Sequence, residues 1–356
     1  MDNRELFTAE QPAGPNPRQI LILRPGAIGD TLLTFPAFRA LRERFPGARL
    51  SVVGNRPALE LARGAGLIHE ADAFGADWVA DLFGDEPTAA LRTRLERYDL
   101  AIVWLHTDEA AGDLARMLRA SGVGAALPAL SFPAPGSRRH LADHLVDSLA
   151  PLGVTGAGCL TPSASADTPL QRRDGEGMGV RISTGIAPGL VRRGEGPGPL
   201  VIFHPGAGAR YKRWPAERYA EIARRYAAEG WDVAVTAGPA DEEAVDAFLR
   251  TARDIGPRVL QGLRLETLAA TLAGASLVIG NDSGVTHLAA LTGAPTLALF
   301  GPYDPAYWRP IGPRVTILDA GTDCPHRANP REGCRTCDKL SQLGVETVWK
   351  AAREWQ

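Results

Sequence analysis

The chain has 356 residues, 45% hydrophobic and 22% charged, with a formal net charge of −2 from 39 Lys plus Arg against 41 Asp plus Glu. That balance excludes a global basic field for nucleic acid, and no run of about 18 apolar residues is present to span a membrane. Four cysteines are too few for a disulfide scaffold, and at roughly 100–200 residues per domain the length suggests two domains.

Residues 1–18 carry no apolar h-region and read as a disordered lead rather than a secretory signal, which with the sparse cysteines points to the cytoplasm. The apolar run 19–23 predicts a buried strand. A glycine-containing turn, Gly26 to Asp30, then opens a helical pattern that Gly47 ends, and 49–54 predicts a second strand. The alternation continues with a strand at 99–105 and a helix at 106–122. A helix at 139–154 closes an N-terminal domain of residues 19–155. Residues 156–198 are rich in Gly, Pro, Ser, Thr and Arg without a sustained period and read as a linker. A second alternation fills 199–340, with strands at 199–204, 232–238, 259–262, 276–282 and 295–301, and residues 341–356 hold a terminal helix. The fold class is therefore α/β, two doubly wound domains in tandem, and such sheets bind ligands beyond the carboxyl ends of their strands.

The turn after the first strand puts Asp30 near a helix start. It could cap that helix or act as a general base. The spacing GxxGD is not the dinucleotide fingerprint GxGxxG, and Asn55 rather than an acidic residue follows the second strand, so a nicotinamide cofactor is discounted. In the second domain, a Gly-rich loop runs from His204 to Pro215 and offers backbone N–H groups and Lys212 to an anion. Only three of the 39 cationic residues are lysines (Lys212, Lys339, Lys350). The alternative is a surface lysine beside a helix start. A third turn, Gly280 to His287, is another anion-ready helix start with the Ser283 and Thr286 hydroxyls available. Asp282 there could cap the helix or hold sugar hydroxyls. Asp241, Glu242 and Glu243 suit either a ribose contact or a helix's first turn. Cys324, His326, Cys334 and Cys337 have spacings that fit a structural zinc or iron site, free thiols or a disulfide.

The blocks 21–54 and 279–310, with 203–223 in order between them, resemble glycosyltransferase family 9, the heptosyltransferases of lipopolysaccharide core assembly. The resemblance implies a GT-B architecture: two Rossmann-like doubly wound domains with the active site in the cleft between them. It implies an inverting, metal-independent glycosyltransferase that moves heptose from ADP-heptose to a lipopolysaccharide core or related hydroxyl and needs no cofactor for catalysis. Carried over residue by residue, it makes Asp30 the catalytic base and gives Lys212 the donor diphosphate. Asp282 takes the heptose hydroxyls, Ser283, Gly284, Val285, Thr286 and His287 form the diphosphate loop, and Glu242 takes the ribose. The N-terminal domain would bind the acceptor, with Arg56, Arg63, Arg138 and Arg139 as candidates for its anionic groups. A lipid A–core acceptor would bring the protein to the cytoplasmic face of the inner membrane, and the terminal helix is expected to pack back toward the N-terminal domain. The long 156–198 segment and the cysteine-containing tail depart from the family pattern. Two further functions compete: a sugar-nucleotide epimerase or hydrolase of similar fold, and a non-catalytic nucleotide-sugar binder. The joint presence of Asp30, Lys212 and Asp282 speaks against the second.

Overall fold

A computed structural model describes residues 16–154, 198–321, 334–336 and 338–355. The expected lead up to residue 15, nearly all of the expected linker, and Cys324, His326 and Cys337 lie outside the described residues. The described residues form two compact units, one of residues 16–133 with 141–154 and one of 134–140 with the described residues from 198 onward.

The first unit is a five-stranded parallel sheet built from β1 (Gln19–Arg24), β2 (Arg49–Gly54), β3 (Glu70–Ala73), β4 (Leu100–Leu105) and β5 (Ala125–Leu130), in the order β3-β2-β1-β4-β5. Its central strands are continuous apolar runs because helices cover both faces of a parallel sheet. On one face Leu21, Leu23 and Val103 pack against Leu114 and Leu118 of the helix Asp108–Ala120. Pro128 is tolerated in β5 because that strand is an edge, where a missing N–H costs no ladder bond. The single helix expected after β1 is two helices, Ile28–Leu32 and Phe35–Arg44. Pro36 sits in the first turn of the second helix, where it needs no intrahelical acceptor.

The second unit is a six-stranded parallel sheet of β6 (Leu200–His204), β7 (Asp232–Ala237), β8 (Arg258–Gln261), β9 (Leu277–Asn281), β10 (Thr296–Phe300) and β11 (Val315–Asp319), ordered β11-β10-β9-β6-β7-β8. Val201, Phe203, Val235 and Ile279 pack there against Tyr219 and Tyr226 of the helix Ala216–Ala228 and against Phe248. The terminal helix Val345–Arg353 belongs to the second unit's core. Its apolar face (Val348, Ala351, Ala352) joins this same core, and the Trp349 ring meets Tyr226 with centroids 4.9 Å apart. Residues 134–140, expected in the first domain, also cluster with the second unit. The backbone N–H of Arg138 donates to the Tyr307 hydroxyl at 2.9 Å, and His140 Nε2 lies 2.9 Å from the Arg309 carbonyl.

In each sheet the strand order reverses at one place, between β1 and β4 in the first and between β6 and β9 in the second. Loops leaving the carboxyl ends of such strands splay apart and leave a crevice for a ligand. The segments that leave β1, β6 and β9 are the three that carry Asp30, Lys212 and Asp282.

Candidate active site

The second unit's site is organised by Asn281, the last residue of β9 and fully buried. Its Oδ1 accepts from the Trp214 backbone N–H and from the Tyr219 hydroxyl, both at 2.9 Å. Its Nδ2 donates to the carbonyls of Pro205 (2.9 Å) and Gly206 (3.1 Å). One amide thus ties the loop after β6 to the end of β9. The loop backbone comes this close because its glycines carry no side chain. A Cβ on Gly206 would lie 1.9 Å from Asp241 Oδ1, and one on Gly280 would lie 2.5 Å from Thr286 Oγ1.

Two carboxylates face this loop in different states. Asp241, buried, accepts from the Gly238 N–H through Oδ2 at 2.9 Å and packs under Gly206. Asp282, also buried, receives the Lys212 ammonium on Oδ2 at 2.8 Å and lies 3.7 Å from His287 Nε2 through Oδ1. Burial alone would push the Asp282 carboxyl up, but the Lys212 charge and the nearby His287 imidazole overcome it and hold the group at about 2. Behind the loop, burial pushes His204 down to about 4 against the opposing pull of Asp241, so it stays neutral at ordinary pH with Nδ1 2.8 Å from Thr236 Oγ1.

Of the residues expected to form a diphosphate loop, Ser283 caps the helix Gly284–Leu291, its Oγ accepting from the Thr286 N–H at 3.3 Å. The Thr286 hydroxyl is not available as expected: it is buried and donates to the Asn281 carbonyl at 2.6 Å. What remains for an anion is the backbone N–H of Gly284 and Val285, which have no intrahelical acceptor at a helix start. Glu242 is exposed at the first position of the helix Glu242–Thr251, whereas its neighbour Glu243 pairs with Arg210 and, at 3.2 Å, with Arg213. Two residues not singled out in the sequence complete the site. Asn281 adjoins Asp282 in the same motif, and Tyr303 follows β10, with its ring face 4.0 Å from the Lys212 ammonium.

In the first unit Asp30 sits in the helix Ile28–Leu32, with Oδ2 accepting from the Ala27 N–H at 2.9 Å. Only this half of a reciprocal cap exists, since Ala27 has no side-chain acceptor to return. The capping role is therefore real, and it leaves Oδ1 without a hydrogen bond among the described residues. Gly26, at φ +156°, is what lets Asp30 fold back: a Cβ there would lie 2.9 Å from the Asp30 Cβ. Beneath it Arg24 is fully buried, its Nη1 donating to the Pro25 carbonyl at 2.6 Å and its guanidinium 5.4 Å from the Phe132 ring centroid. Among the described residues Arg24 Nε and Nη2 have no hydrogen-bond partner, and burial lowers its pKa while the Asp30 charge opposes that shift.

The four arginines expected to meet the acceptor divide. Arg56 and Arg63 share Glu60 on the helix Arg56–Gly64, at 3.6 and 2.7 Å. Arg138 and Arg139 lie on the 134–140 segment, where Arg138 reaches Asp304 at 4.0 Å. Of the cysteine-tail residues only Cys334 is described, and it is buried. Among the described residues no three His, Cys, Asp or Glu side chains form a metal-holding group, and no helix is long and apolar enough to cross a membrane.

Residues 182–336 match the profile of the family described as glycosyltransferase family 9 (heptosyltransferase). A relative, lipooligosaccharide heptosyltransferase 2 of Haemophilus influenzae, is 33% identical over 129 residues, 35% of this chain and 37% of that protein, so the match spans little more than a third of that relative's length. Lipopolysaccharide heptosyltransferase 3 of Escherichia coli is 24% identical over 319 residues, 82% of this chain and 85% of that protein. Among solved structures, the Escherichia coli heptosyltransferase WaaC with ADP superposes with a TM-score of 0.63 at 19% identity, covering 95% of this chain and 100% of that one.

Proposed function

We propose that this chain, which belongs to glycosyltransferase family 9, transfers a heptose from ADP-heptose to a hydroxyl of a lipopolysaccharide core or related acceptor. The observation that carries the reading is the Lys212–Asp282 pair, 2.8 Å across, set in the loops after β6 and β9 where the strand order reverses. A cation for a diphosphate and an ionised acceptor for sugar hydroxyls stand side by side there. The names of the relatives supply the heptose and the lipopolysaccharide, and the bound ADP of one solved neighbour supports the nucleotide.

In this reading Asp30 removes the proton of the acceptor hydroxyl as its oxygen attacks the anomeric carbon opposite the departing ADP, so configuration inverts. The anomeric C–O electron pair leaves with the diphosphate. Lys212 and the N–H groups of Gly284 and Val285 stabilise that growing charge, which lets the transfer run without a metal ion. Asp282, held ionised, accepts from the heptose hydroxyls, and Glu242 takes the ribose. Arg56, Arg63, Arg138 and Arg139 would meet anionic groups of the acceptor. A lipid A–core acceptor would draw the protein to the cytoplasmic face of the inner membrane.

Incubation with ADP-heptose and a heptose-deficient lipid A–core acceptor tests the reading. Mass spectrometry should find one added heptose and free ADP, undiminished by EDTA. Donor consumed equally without acceptor would replace transfer by a hydrolase or epimerase, and donor left intact in both arms would overturn catalysis.

A further inference from the structure

Lys212 has two partners of opposite kind. Asp282 meets its ammonium at 2.8 Å, and the Tyr303 ring face lies 4.0 Å away. The Tyr303 ring is half-buried, stacks against Tyr211 with centroids 6.5 Å apart at 18°, and meets Trp308 edge-on at 6.3 Å. It is therefore held on two sides by aromatic neighbours and is not a loop side chain resting on a lysine by chance. Burial, the Tyr211 hydroxyl and the Asp282 charge all push the Tyr303 phenol up, so it stays neutral.

The two partners are not equivalent once a diphosphate arrives. Asp282 neutralises the ammonium and repels the incoming anion, and in the proposed reaction it must turn its oxygens to sugar hydroxyls. A π-face attracts the cation without carrying negative charge, so it can keep hold of Lys212 while the phosphate oxygens approach. A lysine side chain left without such a restraint loses rotamer freedom on binding and weakens the contact accordingly.

We propose that Tyr303 is a positioning residue of the nucleotide-sugar site: its ring holds the Lys212 ammonium as Asp282 releases it, so that the cation meets the donor diphosphate. The assignment rests on the donor-site reading above. It also makes the residue after β10, in the sequence Gly301-Pro302-Tyr303-Asp304, a determinant of diphosphate affinity that the motifs after β6 and β9 do not reveal.

The test is a double-mutant cycle read by calorimetry with ADP on the full chain: wild type, Tyr303→Leu, Lys212→Ala and the double variant, with thermal melts of each. Tyr303→Leu is expected to weaken ADP binding about tenfold in the wild-type background. It should weaken binding little further once Lys212 is gone, because the ring acts through the lysine. Tyr303→Phe, which keeps the ring, should restore the affinity. Equal losses in both backgrounds, or no loss in either, would overturn the assignment. If the wild type binds neither ADP nor ADP-heptose while melting cooperatively, the donor-site reading itself fails and takes the role of Tyr303 with it.

Discussion

Asn281 Oδ1 and the backbone N–H of Trp214 are joined by a 2.9 Å hydrogen bond that spans 67 positions of sequence and fixes where the loop after β6 re-enters its helix. All four hydrogen-bonding positions of the amide are filled, in full burial. Asn281→Asp keeps the shape but loses both donors and sets a carboxylate against the Pro205 and Gly206 carbonyls. The expected cost is about 3 kcal/mol or more, with ADP binding lost as the loop moves. Chemical denaturation and calorimetry on the variant check both halves.

Lys212→Met leaves Asp282 buried beside His287 alone. Lys212 retains 22% of its side-chain exposure, so the loss falls at the low end for buried pairs, about 3 kcal/mol. The Asp282 carboxyl, no longer countered by the ammonium, should titrate well above its present value of about 2. NMR titration of the carboxyl carbon in wild type and variant would reveal the change. An unmoved titration would mean that His287, not Lys212, keeps the group ionised.

Asp30 has both a structural and a proposed chemical role, and one substitution separates them. Asp30→Asn retains an oxygen to accept from the Ala27 N–H, so stability should stay within about 0.5 kcal/mol. As a general base it is lost, and turnover should fall about 10²–10⁴-fold. Asp30→Ala should lose the cap as well, adding about 1 kcal/mol of destabilisation. Comparable turnover in wild type and Asp30→Asn would leave Asp30 a cap and nothing more.

Acid stability should carry the mark of His204. Its folded value of about 4 lies below its ordinary 6.5, so between those values the unfolded chain binds the extra proton. Stability is full above pH 6.5, falls as pH drops toward 4 and then levels, by on the order of 3 kcal/mol. Asp282 has the opposite shape of causes but the same slope: its contribution is complete above about pH 4 and is lost as pH falls through 2. Denaturation midpoints from pH 7 to 4 for wild type and His204→Asn isolate the first effect. Parallel curves would remove His204 from the account.

What the sequence made legible follows burial. β1, β4, β6, β9 and β10 hold continuous apolar runs, β2 one broken only by Ser51, and all six stand out. β3 (Glu-Ala-Asp-Ala) and β5 with its proline are edge strands whose composition does not separate them from loops, whereas β11 (Val-Thr-Ile-Leu-Asp) is an edge strand with strand-favouring residues that the expected strands left out. The terminal helix could be found from its period, but its period cannot say which unit's core its apolar face will join. The same limit holds in the site. Asp30, Lys212 and Asp282 announce themselves by local motif. The four bonds of Asn281 and the ring of Tyr303 beneath Lys212 are set by a neighbouring loop or strand, at sequence separations that no local spacing encodes.

The scarcity of lysine has a practical consequence. With Lys212 part-buried at the proposed donor site and only Lys339 and Lys350 as further side-chain amines, isotope-labelled dimethylation would give a spectrum of very few lysine signals. The one attached to an ammonium lying over an aromatic ring would be displaced upfield by the ring current and assignable on sight. The occupancy of the site could then be followed, compound by compound, as the movement of a single resonance.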